Sequence, residues 1–537
     1  MILSTHNTAN MPAAIASMML MVRLEIICSE RFVFKEIFIS PTKLQISERK
    51  SKLFCNFVPN MITDELKYRI RSALVHVPTP EQENAINVFS VFMTDRHEQS
   101  VMILRGAAGT GKTTLAASIV KALLSLKQKM VLMAPTGRAA KVFSLYAGQP
   151  AYTIHRRIYR QKSLEGSFDL NFNSAQDTLY IIDEASMIAN ASNFGDSLFA
   201  NGQLLDDLIQ FVYNGRNCRM LLIGDQAQLP PVGEEESPAL ITDVLRGYGL
   251  HVHECNLSEV LRQSQESGIL FNATRIREGG AILPQICFEG FEDIKMVPGD
   301  ELIESLASSY SKVGLDETMV ITRSNKRANI YNQGIRNMVL GREEELTSGD
   351  QLMVVKNNYS LTPNPSPIGE GSVVPAMEFI ANGDRCVVRR VRNVHEQYGF
   401  HFAEVTMTFP DYDDYELTAM VILDTLTSEA PALMREQQEQ LFNAVMEDYA
   451  DIPLKQDRLK KIKEDRYYNA LQVKFAYAAT CHKAQGGQWA HVYVDQGYMT
   501  DEMLTSDYIH WLYTAFTRAT EQLYLVNWPQ TQTENKY

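Results

Sequence analysis

A glycine-rich segment with one lysine is the part of the sequence whose residue types point most directly to chemistry. It reads Gly106-Ala107-Ala108-Gly109-Thr110-Gly111-Lys112-Thr113-Thr114 and follows the apolar run Val101 to Leu104. Glycines allow a tight turn in which backbone N-H groups and a helix N-terminus converge on phosphate oxygens. Lys112 adds positive charge at the outer phosphates, and the Thr113 hydroxyl can bind magnesium. The strand before the loop and the helix pattern after it favour a phosphate-binding loop for ATP or GTP over a chance glycine-rich turn.

Two adjacent carboxylates supply the acids that nucleotide hydrolysis needs. Asp183 and Glu184 follow four apolar residues, Leu179 to Ile182. A continuous apolar run is typical of a buried parallel strand, and ligands bind beyond the carboxyl ends of such strands. Asp183 is therefore predicted to join the magnesium shell, and Glu184 to orient or deprotonate the attacking water. A solvated turn is the alternative, but the neighbouring phosphate loop favours hydrolysis.

Two glutamines are candidates for sensing the nucleotide. Gln82 precedes the first helix of the phosphate-loop unit, where its amide could pair with N6 and N7 of adenine and select ATP over GTP. Gln228 lies in Leu222 to Val232, just past a strand end, where it could sense the terminal phosphate and transmit its presence to a neighbouring lobe. A polar surface residue and a turn cap are the respective alternatives.

The overall composition restricts the class of protein. A chain of 537 residues with 45% apolar residues should hold several domains. Its net charge of -13 gives no general basic face, so any nucleic-acid binding must come from local residues in a groove. The seven cysteines include no pair two residues apart and have no accompanying histidine spacing, so the sequence predicts neither a zinc site nor a disulfide framework, and a reducing cytoplasm fits best.

The sequence predicts neither a membrane span nor export. No run of eighteen apolar residues occurs, and Ala13 to Val22 is short and lacks preceding basic residues. Residues 1–60 show no periodicity that connects them with the rest, whereas Met61 begins an amphipathic pattern. We therefore expect Met61 to be the natural start, with the preceding segment dispensable or an upstream read-through.

Apolar strands alternate with helical patterns in two separate parts of the chain. This alternation predicts parallel βαβ units and a doubly wound sheet in each part. The expected strands of the first part are Val101 to Leu104, Met130 to Ala134, Leu179 to Ile182 and Met220 to Ile223. Those of the second part are Met319 to Thr322, Val473 to Ala476, His491 to Val494 and Gln522 to Val526. Two such lobes predict a nucleotide site that is completed across a cleft.

A different pattern interrupts the second part. The turn Asn382-Gly383-Asp384 and the β-type segments Arg385 to Val391, Phe402 to Phe409 and Ala419 to Leu423 predict a small inserted β-barrel. The Pro-rich stretch 361–371 before it predicts a mobile loop, and the charged segment 431–465 predicts solvated helices. In the first part, Arg157 to Gln176 is consistent with either a short hairpin or a plain surface loop.

The order of these segments resembles the superfamily 1 helicases, in the RecD-like and Dda-like branch, from Met61 to the C-terminus. Beyond the residues already named, the resemblance depends on five segments. They are Ala134 to Lys141, Thr153 to His155, Leu257 to Arg262, Ala479 to Gln488 and Tyr513 to Ala519. The resemblance implies an α/β fold with two RecA-like P-loop lobes and a small β-barrel inserted in the second. The expected boundaries are an extension at 1–60, the first lobe at 61–250, the second at 251–356 and 470–537, and the barrel at 357–469.

The resemblance also assigns roles to individual residues. Residues 106–114 and Gln82 would bind ATP, and Thr113 and Asp183 would hold Mg²⁺. The expected catalytic residues are Lys112, Glu184, Gln228, Arg262 and Arg518. An arginine from another lobe can contribute about 10³ to 10⁵ in rate, whereas an isolated arginine is more often a surface ion pair. The single-stranded DNA groove would be lined by Pro135, Thr136, His155, Thr480, His482 and Lys483.

The implied activity is an ATP-driven motor that moves 5′ to 3′ on single-stranded DNA and separates duplex at single/double-strand junctions. The hairpin would then be a wedge and the barrel a DNA clamp, and other repair or replication proteins are expected as partners. Two alternatives stay open at this point. One is a P-loop ATPase that acts on RNA or remodels a protein complex, and the other is an inactive DNA-binding scaffold, although Lys112, Asp183, Glu184 and Arg518 are all present.

Overall fold

The computed structural model describes residues 62–161, 168–190, 203–260, 266–279, 283–358, 380–500 and 503–534. The N-terminal extension 1–60, the Pro-rich stretch 361–371 and Arg262 lie outside these residues. Among the helices that the structure describes, none is long and apolar enough to cross a membrane.

The first lobe is built on a six-stranded parallel sheet in the order β3-β2-β6-β7-β1-β8. Its strands are β1 (Ser100–Gly106), β2 (Lys129–Ala134), β3 (Ala151–Thr153), β6 (Thr178–Ile182), β7 (Arg219–Gly224) and β8 (His251–Leu257). Between β3 and β6, β4 (Tyr159–Gln161) pairs antiparallel with β5 (Phe168–Leu170), so two short strands form a hairpin here. The helices are α1 (62–73), α2 (Pro80–Thr94), α3 (Lys112–Ser125), α4 (Gly137–Ala147), α5 (Ile154–Ile158), α6 (Leu204–Asn214) and α7 (Thr242–Gly247).

Both faces of this sheet are covered, which explains the continuous apolar runs in its strands. Alternate residues of β1 enter opposite cores: Met102 and Leu104 pack with α2 and α3, whereas Val101 and Ile103 pack with α6. The four predicted strands are present. The predicted end of the lobe at residue 250 is wrong, because β8 pairs with β1 through Leu257. This edge strand alternates polar and apolar residues and therefore carries no apolar run.

The second lobe is a five-stranded parallel sheet in the order β16-β10-β17-β18-β9. Its strands are β9 (Ile294–Val297), β10 (Thr318–Thr322), β16 (Ala478–Thr480), β17 (Trp489–Asp495) and β18 (Ala519–Val526). Its helices are α8 (Gly268–Glu278), α9 (Leu302–Lys312), α10 (Asn325–Gly334, continued by a π-helical turn), α13 (Cys481–Ala484) and α14 (Ser506–Phe516).

A closed five-stranded barrel interrupts the second lobe, as predicted. Its strands are β11 (Gln351–Val354), β12 (Arg385–Gln397), β13 (Phe400–Phe409), β14 (Tyr415–Ile422) and β15 (Leu471–Phe475). The charged segment forms two helices, α11 (Arg435–Asp448) and α12 (Lys455–Glu464), between β14 and β15.

The assignment of Val473 to Ala476 to the second lobe is wrong. This segment belongs to β15, which pairs antiparallel with β11 and parallel with β14 and thereby closes the barrel. The barrel therefore runs from residue 351 to 475 rather than from 357 to 469. A short apolar run looks the same whether it lies in a barrel or in a parallel sheet, and only its pairing partners distinguish the two.

Candidate nucleotide site in the inter-lobe cleft

The phosphate loop joins the end of β1 to the start of α3. Gly109 and Gly111 have φ values of 77° and 82°, in the left-handed region that favours glycine. At Gly106 a Cβ atom would lie 2.8 Å from the Lys112 Cγ atom, so the lysine stem can cross the loop only over a glycine. Gly111 precedes α3 without a side-chain cap, and the N-terminus of the helix faces the loop. This is the backbone arrangement that binds phosphate.

Lys112 lies over its own loop. Its ammonium donates hydrogen bonds to the carbonyl oxygens of Gly106 and Ala107, the latter at 2.9 Å. The same nitrogen is 3.8 Å from Oδ2 of the buried Asp225, which follows β7. Lys112 therefore connects the phosphate loop with the end of the neighbouring strand.

Asp183 and Glu184 follow β6, on the same sheet edge as the loop. The Asp183 N-H donates to the Met133 carbonyl at 3.0 Å, and the Glu184 N-H donates to Asp183 Oδ1 at 2.9 Å. Burial and the adjacent Glu184 raise the pKa of Asp183 to about 7. Glu184 has a φ of 52°, an uncommon conformation for a non-glycine residue. The Asp183 carboxylate and the partly exposed Thr113 hydroxyl are hard oxygen donors of the kind Mg²⁺ prefers, so these residues fit the predicted ion.

Gln82 lies in the first turn of α2 rather than before the helix, and its side chain contacts the phosphate loop. Its side-chain amide donates to the Thr110 carbonyl at 3.0 Å, and its Oε1 atom accepts from the Thr79 N-H at 3.2 Å. The second bond belongs to a capping box at the start of α2, because Thr79 Oγ1 also accepts from the Gln82 N-H. The residue thus fixes the loop to α2, and its contact with adenine stays a prediction.

Gln228 lies in the segment through which the first lobe contacts the second. It is buried, and its Oε1 atom has no hydrogen-bond partner among the described residues. The next residue, Leu229, accepts from the Gln485 amide at 2.6 Å and donates from its N-H to Thr514 Oγ1 at 2.7 Å. A buried amide beside two inter-lobe hydrogen bonds is suited to the predicted sensing role.

Tyr513 is the site residue that the sequence reasoning missed. It belongs to α14 of the second lobe, yet its hydroxyl accepts a 2.8 Å hydrogen bond from the Ala108 N-H in the phosphate loop. The same hydroxyl donates to Asp225 Oδ2 at 2.6 Å. Tyr513 stands first in the segment Tyr513 to Ala519 that carries the family resemblance, but spacing alone does not indicate which side chain reaches the other lobe.

Arg518 is placed differently from the predicted contact with phosphate. Its buried guanidinium donates to the carbonyls of Thr514 and Gly487 at 3.1 and 3.2 Å and to Thr517 Oγ1 at 3.2 Å. All three acceptors belong to the second lobe. Arg518 lies just past the end of α14, the helix that carries Tyr513 to the phosphate loop, but its side chain is bonded within the second lobe.

The predicted DNA-contacting residues form two groups on facing segments. Thr136 caps the N-terminus of α4, and a Cβ atom on Gly486 would lie 3.1 Å from Thr136 Oγ1. The first-lobe residues Pro135 and Thr136 therefore lie beside the second-lobe segment that begins with Thr480, His482 and Lys483. Burial lowers the pKa of Lys483 to about 8. His155 is on α5, which follows β3, and β3 pairs with β2 so that Thr153 lies opposite Ala134; burial lowers the pKa of His155 to about 4.

Helix α4 also connects the first lobe to the barrel. Arg138 donates to Asp411 Oδ1 at 3.3 Å in the barrel and to the Gln488 carbonyl at 3.1 Å in the second lobe. One turn further along α4, Lys141 donates to Asp413 at 2.8 Å. The segment that carries the Pro135 and Thr136 predictions is therefore the junction of all three parts of the molecule.

The fold and the site together define a two-lobed P-loop nucleotide hydrolase. The family model described as an AAA domain matches residues 79–287, and the UvrD-like helicase C-terminal domain matches residues 475–526. These matches support a superfamily 1 DNA helicase of the RecD-like and Dda-like branch, an ATP-hydrolysing enzyme.

Several known proteins are similar to this chain. The chain is 24% identical over 430 residues to the ATP-dependent DNA helicase dda of Enterobacteria phage T4. The match covers 76% of this chain and 90% of the relative. The chain is 33% identical over 138 residues to the ATP-dependent RecD2 DNA helicase of Deinococcus radiodurans, covering 25% of this chain and 16% of the relative. A solved structure of a Pif1 helicase from Bacteroides in complex with ADP-AlF3 and ssDNA covers 86% of this chain and 95% of its own, with a TM-score of 0.42 and 15% identity.

Proposed function

We propose that the protein uses ATP and Mg²⁺ to move 5′ to 3′ along single-stranded DNA and to separate duplex ahead of it. The observation that carries this proposal is the position of Tyr513, a second-lobe residue that accepts from the Ala108 N-H of the phosphate loop. Because the second lobe contacts the loop directly, a change in the phosphates changes the contacts between the lobes. Such differential contact is what couples a ligand to a conformational equilibrium.

Each residue of the site has a separate proposed role in ATP binding or hydrolysis. The loop N-H groups and Lys112 bind the phosphates, and Gln82 selects adenine. Glu184 orients and deprotonates the attacking water, while Gln228 senses the terminal phosphate. Thr113 and Asp183 would hold Mg²⁺, which would supply positive charge beside the phosphate oxygens. Arg262 and Arg518 contribute positive charge from the second lobe once the cleft has closed.

Single-stranded DNA is proposed to cross the mouth of the cleft. Thr136 and the segment starting at Thr480 face each other there, and each lobe offers polar or basic groups for the phosphates. When the lobes open and close, the first-lobe group Pro135, Thr136 and His155 and the second-lobe group Thr480, His482 and Lys483 would grip the strand in turn.

The 5′ to 3′ direction follows from the resemblance to the RecD-like branch. The β4-β5 hairpin is the proposed wedge at the junction, and the barrel, held to α4 through Asp411 and Asp413, is the proposed DNA clamp. Forked DNA is the proposed substrate, with other repair or replication proteins as partners.

A strand-displacement assay tests the proposal. Duplexes with a 5′ or a 3′ single-stranded overhang are incubated with and without ATP, with Lys112→Ala and Glu184→Gln as inactive controls. We expect displacement only with ATP and only with the 5′ overhang. Exclusive use of the 3′ overhang would reverse the direction, and ATPase activity stimulated by RNA but not DNA would favour the alternative ATPase class.

A further inference from the structure

Three imidazoles contact one carboxylate at the edge of the first lobe opposite the phosphate loop. Asp95 follows α2, His97 lies in the loop that leads to β1, and His251 and His253 begin β8. His97 Nδ1 is 2.8 Å from Asp95 Oδ1, and His251 Nδ1 and His253 Nε2 are 2.7 and 2.9 Å from Asp95 Oδ2. We refer to these four residues as the histidine cluster.

The strand geometry explains why the cluster forms. Side chains two residues apart in a strand point to the same face, so His251 and His253 both approach Asp95. Ser100, the first residue of β1, pairs with His251 in the sheet and donates from its hydroxyl to Asp95 Oδ2 at 2.6 Å. The carboxylate is therefore held from the loop side and from both strands.

The donor atoms have the spacing of a metal-binding site. One ligand atom each from Asp95, His97 and His251 lies within 4.8 Å of the others. The rings of His97 and His251 stack with centroids 4.1 Å apart and an interplanar angle of 24°, so both Nδ1 atoms reach the same carboxylate. Tetrahedral zinc with ligands at about 2.1 Å needs donors about 3.4 Å apart, which these side chains reach with shifts on the order of 1 Å. Both rings are exposed, so an ion can enter from solvent.

We propose that the histidine cluster is a Zn²⁺ site in which Asp95, His97 and His251 are the ligands and His253 orients the carboxylate. Two imidazoles and one carboxylate match the ligand preference of zinc and related transition metals, whereas Mg²⁺ and Ca²⁺ prefer oxygen ligands alone. A carboxylate held by an additional histidine is typical of the outer contacts that support a metal ligand.

The role of this ion is structural. The cluster lies at the start of β1, and the phosphate loop lies at its end, roughly 20 Å away for a seven-residue strand. An ion there joins the loop after α2 to β8, the edge strand of the sheet. Because a ligand that binds the folded state stabilises it, Zn²⁺ should raise the thermal stability of the protein without taking part in hydrolysis.

Metal binding to the chelator-treated full-length protein tests this inference directly. Calorimetric titration with Zn²⁺ should show one site that is weakened at least tenfold in His97→Gln and in His251→Gln. Thermal unfolding should shift upward by several degrees with Zn²⁺ in the wild type and in neither variant. His401→Gln is the matched control, since His401 is an exposed histidine that pairs with a single carboxylate, Asp424.

Substitution of Co²⁺ for Zn²⁺ provides a second readout. The proposed ligands are nitrogen and oxygen, so the visible spectrum of the cobalt protein should lack a sulfur-to-metal charge-transfer band. The inference is overturned if the wild type binds no Zn²⁺, if His97→Gln and His251→Gln bind it as tightly as the wild type, or if that band appears. Unchanged melting of both variants in chelator would show that a loss of binding is not a loss of fold.

Discussion

The hydroxyl of Tyr513 donates a 2.6 Å hydrogen bond to Oδ2 of Asp225 across the cleft between the lobes. Asp225 lies 3.8 Å from the Lys112 ammonium, and Tyr513 also accepts from the Ala108 N-H of the phosphate loop. One buried hydroxyl thus links the second lobe to two elements of the nucleotide site. A phosphate that engages the Ala108 N-H competes with this hydroxyl, which gives a direct route from nucleotide to lobe position.

Tyr513→Phe removes this link while keeping the ring in place. We expect ATP to bind as well as in the wild type or better, because the Ala108 N-H no longer has a competing partner. The stimulation of ATPase activity by single-stranded DNA should fall about tenfold, equivalent to about 1.4 kcal/mol of coupling. Steady-state ATPase assays with and without an oligonucleotide measure this ratio.

Tyr508→Phe is the matched control for this prediction. Tyr508 lies on the same helix and donates to Gln496 within the second lobe, at 2.6 Å. Its loss should leave the stimulation ratio unchanged. An unaltered ratio in Tyr513→Phe would mean that the bridging hydroxyl does not couple the lobes.

Arg518→Ala separates a catalytic role from a structural one. If the guanidinium leaves its acceptors and reaches the nucleotide in the closed cleft, the variant should lose about 10³ in kcat with little change in ATP affinity. The variant also removes the Arg518 donor from the buried Gly487 carbonyl, which should cost about 1 to 3 kcal/mol in unfolding free energy, whereas the Thr514 carbonyl keeps the Thr517 hydroxyl as a donor.

Arg518→Lys shows which of the two effects dominates. Lysine keeps the charge but cannot reproduce the forked contact, so kcat should recover only in part. Urea unfolding followed by circular dichroism measures the stability of both variants. A stable Arg518→Ala protein with wild-type kcat would remove Arg518 from the catalytic set.

The sequence predicted the segments of the nucleotide site better than it predicted the boundaries of the lobes and the barrel. The phosphate loop was recognisable because backbone-driven phosphate binding requires fixed residue types at fixed spacing, and Asp183 and Glu184 lie at the same sheet edge, while their roles in hydrolysis stay predictions. β8 and β15 were missed or misassigned because an edge strand lacks an apolar run and a barrel strand resembles a buried parallel one.

Contacts between distant parts of the chain could not be predicted in the same way. Tyr513 and Ala108 are 405 positions apart, and Asp95 and His251 are 156 apart. No local spacing rule relates such residues, because their proximity depends on how the lobes dock and on which strands become neighbours. The orientation of Arg518 toward its own lobe likewise depends on tertiary hydrogen bonds.

Binding of single-stranded DNA should weaken as the pH rises through about 8. Burial lowers the pKa of Lys483 to about 8, so above this pH the free protein loses the proton that a phosphate contact needs. Below pH 8 Lys483 is charged in both the free and the DNA-bound protein, so the affinity for single-stranded DNA should not depend on pH. At pH 9 the affinity should fall by up to about tenfold, measured by fluorescence anisotropy of a labelled oligonucleotide at constant salt.

Lys483→Arg is the control, since arginine stays charged throughout this range. Its affinity should not change between pH 7 and pH 9. Lys474 also has a pKa lowered to about 8 by burial, but it donates to the Thr425 and Ser428 carbonyls inside the barrel. A pH dependence that survives in Lys483→Arg would assign the effect to another group.

The contact between the barrel and α4 should make stability depend on pH through Asp384. This buried carboxyl accepts hydrogen bonds from the Tyr412 hydroxyl at 3.0 Å and from the Ala381 N-H at 2.7 Å. It also packs closely on α4, since a Cβ atom on Gly137 would lie 2.7 Å from Asp384 Oδ1. Burial raises its pKa from 3.8 to about 7. The folded state holds this proton more tightly than the unfolded chain does. The contribution of Asp384 to the free energy of unfolding is therefore greatest below pH 3.8 and is lost as the pH rises to about 7.

Asp384→Asn removes this loss of stability at higher pH, because asparagine cannot ionise. Its gain in unfolding free energy should be small near pH 4, grow by up to about 1.4 kcal/mol per pH unit, and level off above about pH 7 at no more than about 4 kcal/mol. Urea unfolding between pH 4.5 and 8 measures the gain. Asp413→Asn is the control at the same interface, since this exposed carboxylate pairs with Lys141 and should give no gain at any pH. If Asp384→Asn gains the same free energy at pH 4.5 and pH 8, the carboxyl is ionised in the folded protein at both, and the burial of Asp384 against α4 does not control its proton.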